Sequence, residues 1–205
     1  MNDMPILKIE TIPDVQTNRD VQLAPPVRSA LPGDLSARQL IERLIRVDHA
    51  GEYGAARIYE GQLAILGRGD KGDILRHMKE QEQVHLDTFT ALITSRRVRP
   101  TVLLPLWHIA AFTLGAVTAA IGTRAAMACT VAVEESIDEH YAEQAASLPP
   151  EEAELRATIE KFRAEELEHR DIGLENEAEL APAYKLMAAV IKMGCKVAIK
   201  VTERI

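Results

Sequence analysis

The sequence predicts an all-α protein, a four-helix bundle built from two helical hairpins with two further helices beside it. Long intervals without proline alternate with short proline-containing segments, and proline is costly inside a helix because it removes a backbone donor and clashes with the preceding turn. Within these intervals apolar residues recur every three or four positions, which is the spacing of one helix face. No run alternates apolar and polar residues for long enough to predict a strand, and aromatic residues make up only 4% of the chain.

Helix start and stop signals divide the proline-free intervals into six elements. Asp34 or Ser36 is a candidate N-cap of the first helix, and Gln39 would complete a capping box with Ser36. The Pro149-Pro150 pair, followed by two glutamates, ends one helix and starts the next. The six predicted helices span residues 36–66, 71–97, 103–121, 123–147, 151–178 and 183–203.

Residues 1–33 differ from the rest of the chain. They hold five of the ten prolines and no sustained period, so we expect a disordered tail before one folded domain at 34–205. The segment lacks the continuous apolar core of a secretory signal, and its four acidic residues are atypical of a mitochondrial presequence. The whole chain has 31 Asp and Glu against 24 Lys and Arg, a net charge of −7, which argues against general nucleic-acid binding.

Charged side chains interrupt the apolar stripe of four predicted helices near its middle. A bare carboxylate in such a stripe is unfavourable, because desolvation costs several kcal/mol per ion. Two of the stripes add a histidine three residues after the glutamate, and Glu-x-x-His places both side chains on one helix face. In chain order the interrupting residues are Glu52, then Glu82 with His85, then Glu134, then Glu166 with His169.

Metal cations resolve the repulsion between buried carboxylates, since they coordinate ionised carboxylates and neutral imidazoles. Two Glu-x-x-His helices plus one glutamate from each of two others form the ligand pattern of di-iron and di-manganese ferritin-like bundles. The order also repeats: a tyrosine stands seven residues after each leading glutamate, at Tyr59 and Tyr141. We therefore predict two similar halves around a metal pair, with a metal-free bundle of paired buried acids and histidines as the alternative.

Other polar residues near these stripes are candidates for supporting roles. Asp48 and Asp138 lie one turn from the leading glutamates, and we expect them to hold the outer ring nitrogens of His169 and His85. His140 neighbours Tyr141 and stands either close to the site or on the helix surface.

Two segments favour contact with a membrane surface. Residues 100–123 carry no charge until Arg124, but a bilayer crossing there would separate the two ligand trios, so we expect a helix lying in the interface. Residues 183–203 form a basic amphipathic helix, which either binds the membrane surface or covers the bundle.

Three stretches carry a resemblance to a known family. Residues 46–55 read RVDHAGEYGA, residues 128–136 read ACTVAVEES, and residues 165–174 read EELEHRDIGL. Over about residues 36–205 the chain resembles the demethoxyubiquinone hydroxylases, the di-iron monooxygenases of ubiquinone biosynthesis. The resemblance assigns the iron ligands to the same six residues that the stripes select, with Glu82 and Glu166 bridging two irons.

The resemblance also implies an activity and partners. It implies O2-dependent hydroxylation of a demethoxyubiquinol ring by two Fe2+ ions, on a polyprenyl quinol that resides in lipid. Tyr141 and His140 are candidates to relay electrons or protons. Without an Arg-rich presequence we expect a peripheral protein on the cytoplasmic face of a bacterial inner membrane. A homo-oligomer or a helical lipid-binding partner stays open, and so do two rival functions, a soluble ferroxidase or rubrerythrin-like peroxidase and a metal-free membrane scaffold.

Overall fold

The computed structural model describes residues 35–205, and within that range every regular element is helical. The predicted all-α, ferritin-like bundle is confirmed. The predicted tail at 1–33 lies outside the described residues. The six helices are α1 (Ala37–Leu66), α2 (Gly72–Ser95), α3 (Leu104–Ile121), α4 (Thr123–Ser147), α5 (Ala153–Glu175) and α6 (Tyr184–Thr202), with short 3-10 turns at Pro150–Glu152 and Ala178–Leu180.

The helix ends follow local chemistry. Ser36 caps α1: its hydroxyl accepts from the Gln39 backbone N–H at 3.2 Å, while the Gln39 side chain accepts from the Ser36 N–H at 2.9 Å. This is the predicted capping box. The fifth helix ends at Glu175, earlier than the predicted 178, because Glu177 takes a left-handed conformation with φ 63°.

Helices α1 and α4 are the central antiparallel pair. Side chains near the end of each helix bond to the beginning of the other: the Gln62 amide donates to the Ala126 carbonyl at 3.1 Å, and the Gln144 amide donates to Asp48 at 2.6 Å. Helix α2 packs on α1 and α5 packs on α4, which completes the four-helix bundle. Apolar clusters fill both ends of the bundle, one around Phe89 and the other around Met78, so a polar layer lies between them.

Each half of the bundle also carries a third helix. Helix α3 runs along α1 at very short range, since a Cβ added to Gly115 would lie 2.0 Å from the Ile58 carbonyl oxygen and one added to Gly61 would lie 2.2 Å from that of Phe112. Helix α6 runs along α4, where Lys192 pairs with Glu135 at 2.6 Å. The repeating unit is therefore three helices rather than the two-helix hairpin that the ligand spacing predicts.

Helix α3 is long and apolar enough to cross a membrane by length and composition, a test that core helices of soluble proteins also pass. It is the one such helix among residues 35–205, and little of it is buried. Together with α6 it exposes a broad apolar surface. Its exposed members are Leu106, Ile109, Phe112, Val117 and Ile121 on α3, and Leu186, Val190, Met193 and Val197 on α6.

Candidate metal centre

The six predicted ligands lie together in the polar layer between the two apolar clusters. Each of them is at most 1% exposed. Helices α1 and α4 each contribute one glutamate, and α2 and α5 each contribute a glutamate with a histidine one turn later. The six residues selected from the apolar stripes of the sequence therefore lie together in the structure.

The ligand atoms form two overlapping groups. One group consists of Glu52, Glu82, His85 and Glu166, and the other of Glu82, Glu134, Glu166 and His169. Within each group one ligand atom per residue lies within 4.8 Å of all the others. Since Glu82 and Glu166 belong to both, the geometry suits two adjacent cations that share two carboxylates. Oxygen and imidazole donors of this kind fit iron or manganese.

Several of these donor atoms have no hydrogen-bond partner in the described chain. They are Glu52 Oε2, both carboxylate oxygens of Glu82, Glu134 Oε2, Glu166 Oε2 and His169 Nδ1. An unpaired buried polar group costs ~1–3 kcal/mol, and more when charged. Cations in the two groups would satisfy all of these atoms at once, so the residues fit a metal pair.

The pKa values of the buried carboxyl groups indicate that protons occupy the layer when no cation is bound. Burial, followed by repulsion from Glu166, raises the pKa of Glu82 and Glu134 well above the usual range, and burial also raises the pKa of Glu52. Burial opposes ionisation of Glu166 too, but the adjacent His169 ring and the hydrogen-bonded His85 ring outweigh it and lower its pKa to about 2. The metal-free layer therefore retains protons that a cation must displace.

Each of the two tyrosines forms a hydrogen bond with the opposite half of the bundle. Tyr59 on α1 donates a hydrogen bond to Glu134 on α4 at 2.8 Å, and Tyr141 on α4 donates one to Glu52 on α1. Each tyrosine thus fixes the leading glutamate of the other half. The sequence spacing indicated a shared helix face, and the antiparallel packing of α1 against α4 turns that face toward the opposite glutamate.

The prediction that Asp48 and Asp138 hold the outer nitrogens of the two histidine rings was wrong. His85 Nε2 lies 2.8 Å from Glu165 Oε2, and His169 Nε2 lies 2.9 Å from Gln81 Oε1. In each case the partner is the residue just before the shared glutamate on the opposite helix, because α2 and α5 face each other across the layer. Glu165 is therefore a half-buried residue at the edge of the layer rather than a fully solvated one.

Asp48 and Asp138 take other positions. Asp138 pairs with Arg163 at 2.6 Å near the surface. Asp48 is buried, accepts from Gln144 and lies 3.3 Å from His140 Nε2, while its second oxygen has no partner in the described chain. Burial raises the pKa of Asp48, against the opposing effect of His140.

The two halves differ on one side of the layer. The spacing of 82 residues that relates Glu52 to Glu134 also relates Tyr59 to Tyr141. Applied to Asp48 and His140, it gives Thr130 and Ile58, so only one half has this polar pair.

An apolar cavity of about 400 Å³ opens on that same side. Helices α1 and α4 form its floor, where Asp48, Glu52, His140 and Tyr141 reach it, and α3 and α6 form its walls. Cavities of this size and apolar character are typical of small-molecule sites. No local sequence pattern indicates this cavity, because its lining comes from four helices.

Comparison with known proteins places these features in one family. The protein-family model described as "Ubiquinone biosynthesis protein COQ7" matches residues 39–202 of the chain. A 3-demethoxyubiquinol 3-hydroxylase of Rhodospirillum rubrum is 57% identical over 176 residues, which cover 85% of this chain and 83% of that protein. The human mitochondrial NADPH-dependent 3-demethoxyubiquinone 3-hydroxylase is 53% identical over 181 residues, covering 86% and 83%.

A more distant relative shares the same extent. The mitochondrial 5-demethoxyubiquinone hydroxylase of Saccharomyces cerevisiae is 42% identical over 182 residues, covering 80% of this chain and 78% of its own. The match of the family model includes all six predicted ligands. With that coverage and these identities, the chain belongs to the COQ7 family of ubiquinone biosynthesis proteins.

Proposed function

We propose that the protein is an O2-dependent di-iron monooxygenase that hydroxylates the ring of demethoxyubiquinol. The observation that carries the proposal is the common wall between the carboxylate and histidine layer and the apolar cavity, formed at Glu52. The names of the relatives, which are hydroxylases of demethoxyubiquinol or demethoxyubiquinone, support it. Two Fe2+ ions would be held by the six ligands, with Glu82 and Glu166 bridging.

The protein's own residues would position the metal pair and keep water out. When bound, a ferrous pair supplies the two electrons that, with O2 and two protons, convert one ring C–H to C–OH and release one water. Glu165 and Gln81 orient His85 and His169 through the outer ring nitrogens. The apolar walls on α3 and α6 accept a quinol ring and its prenyl tail while excluding solvent from the reacting carbon.

Tyr141 and His140 are proposed to move protons between the cavity and the ligand layer. Tyr141 bonds to Glu52, and His140 lies beside the buried Asp48. All four residues reach the cavity, whereas Tyr59, the equivalent tyrosine of the other half, does not line it.

Replacing Tyr141 with phenylalanine tests this relay, and Tyr59→Phe is its matched control. Both changes delete a hydroxyl that bonds to a leading glutamate. We expect Tyr141→Phe to lower kcat by roughly 100- to 10,000-fold, the range for loss of a proton-transfer group. Tyr59→Phe also loses a hydrogen bond to a predicted ligand carboxylate but no link to the cavity, so its kcat should fall by no more than the ~10- to 100-fold typical of groups that orient a ligand. Steady-state rates and iron content are measured for both, and equal losses contradict the relay.

We further propose that the exposed apolar surface of α3 and α6 lies on a membrane, the source of a polyprenyl quinol. Arg97 and Arg99 precede α3, and Lys185 begins the basic face of α6. Lys192 and Lys196 are paired with Glu135 and Glu139, so α6 offers less free positive charge than its sequence indicates. The cytoplasmic face of a bacterial inner membrane remains the proposed location, although several relatives carry "mitochondrial" in their names.

Single-turnover hydroxylation tests the function directly. The protein is loaded with Fe2+ without oxygen, mixed with a short-tailed demethoxyubiquinol in phosphatidylglycerol-containing vesicles, and then exposed to O2. We expect about one hydroxylated quinol per iron pair, heavier by one oxygen atom, and protein that sediments with the vesicles. Metal-free protein is the control.

Two other outcomes would replace the proposal. Iron oxidation or peroxide turnover without a hydroxylated product indicates the soluble ferroxidase or peroxidase. Failure to retain iron indicates the metal-free scaffold.

A further inference from the structure

Three glycines inside helices have no packing reason to be glycine. They are Gly51 and Gly54 in α1 and Gly194 in α6, and a Cβ added at any of them meets no described atom within 4 Å. Glycine in a helix interior is destabilising relative to alanine. Gly61 and Gly115 differ, because α1 and α3 approach too closely there for any side chain. The fold explains the second pair and leaves the first three unexplained.

All three of these glycines line the same cavity. Gly51 and Gly54 lie three residues apart on one face of α1, and Gly194 is on the α6 wall. The floor that they adjoin holds one buried carboxylate oxygen, Asp48 Oδ2, that has no hydrogen-bond partner in the described chain and belongs to no predicted metal ligand. An unpartnered buried acceptor beside open apolar space points to a bound molecule with an apolar body and a polar group.

We propose that Gly51, Gly54 and Gly194 determine substrate specificity by keeping open the space in which a flat quinol ring reaches Glu52. A side chain at any of the three would occupy open space at the cavity lining rather than contact protein. The need for this open space explains why glycine stands at these helix positions, although it makes the helices less stable than alanine would. The inference rests on the proposed function for the identity of the ligand, but the vacancy itself is independent of catalysis.

Graded substitution at Gly54 tests the inference. We expect Gly54→Ala to raise Tm by ~1–4 °C, because alanine favours the helix and meets no neighbour. Gly54→Leu should lower kcat/KM for a short-tailed demethoxyubiquinol by ~10- to 200-fold, the range for a change in pocket fit, with iron content unchanged. Gly51→Leu and Gly194→Leu should do the same. Ala64→Leu, at an exposed position on α1 away from the cavity, adds a similar volume and should leave kcat/KM within about twofold.

Trp107 provides a readout that does not depend on turnover. It is the chain's single tryptophan and lines the cavity. Quenching of its fluorescence by a short-tailed demethoxyubiquinone, measured on iron-loaded protein without oxygen, gives a dissociation constant. We expect that constant to rise at least about tenfold in the leucine variants and not in Ala64→Leu.

The outcomes separate this inference from the proposed function. Wild-type binding with no hydroxylated product overturns the function while leaving the glycines testable by fluorescence. Unchanged quinone affinity in all three leucine variants overturns the role of the glycines even if hydroxylation is found. If a leucine variant does not fold, the alanine variant decides the matter: a higher Tm with weaker quinone binding supports the inference, and a lower Tm contradicts it.

Discussion

Replacement of Glu166 by alanine is expected to abolish iron binding and to reduce hydroxylation by more than about 100-fold, beyond the 10- to 100-fold effect typical of residues that only orient a ligand. Glu166 belongs to both ligand groups and contacts both histidines, with 3.1 Å to His85 Nδ1 and 3.4 Å to His169 Nδ1. Its loss removes a donor from each cation site at once. Helix α5 should persist, since alanine is a strong helix former.

Glu168→Ala is the matched control for this change. Glu168 lies on the same helix two residues later but is exposed. We expect it to keep iron content and activity near those of the unmodified protein. Metal analysis, circular dichroism and the single-turnover assay compare the two variants. Full activity in Glu166→Ala would end the di-iron proposal, and loss of helicity in both variants would show that α5 tolerates no change there.

The metal-free protein is expected to lose stability as the pH rises from 6.5 to 8.5. Glu82 and Glu134 have pKa values raised by burial, so the folded state keeps protons that the unfolded state releases. His85, whose pKa is raised to about 12 by Glu166 and Glu52 against burial, behaves in the same way above its usual value of 6.5. When the folded state binds more protons, stability falls as pH rises.

Groups with the opposite behaviour act little in this window. Burial lowers the pKa of His49, so its stabilising contribution rises through the usual value of 6.5 and is nearly complete about one pH unit above it, and Glu166, with a pKa of about 2, is ionised throughout. Each group that retains a proton on folding costs ~1.4 kcal/mol per pH unit. One such group therefore lowers Tm by roughly 6 °C or more over two units.

Thermal unfolding of chelated and iron-loaded protein at several pH values measures this effect. Iron binding displaces the retained protons, so the Tm of the loaded protein should hold steady or rise over the same range. The gap between the two forms should widen with pH. A Tm of the metal-free protein that increases from pH 6.5 to 8.5 would contradict the electrostatic description of the layer.

The clustering of the six predicted ligands could be predicted because the helix period is a local property. At 3.6 residues per turn, Glu52 and Glu134 fall within apolar stripes, and Glu-x-x-His places both donors of α2 and of α5 on one face. The capping box at Ser36 was predictable for the same reason, because every group that it needs lies within four residues. Hairpin spacing in turn indicated two similar halves.

The predictions that failed concern contacts between side chains on different helices of the bundle. Asp48 lies on the ligand-bearing stripe, but the partner of a histidine ring depends on how α2 is rotated against α5, which brings Glu165 and Gln81 to the outer nitrogens. No local pattern distinguishes Glu165 from a solvated glutamate. The cavity and the vacancies at its glycines likewise arise only where α1, α3, α4 and α6 meet.

By itself the sequence determined that the chain is helical and which charged side chains are buried together, and it predicted cations between them, since these follow from backbone periodicity and the cost of burying charge. Only the tertiary structure decided which half of the layer adjoins the apolar cavity. The repeat makes the halves nearly equivalent in sequence, and the difference appears when α3 and α6 enclose an apolar space on the side of Asp48 and His140.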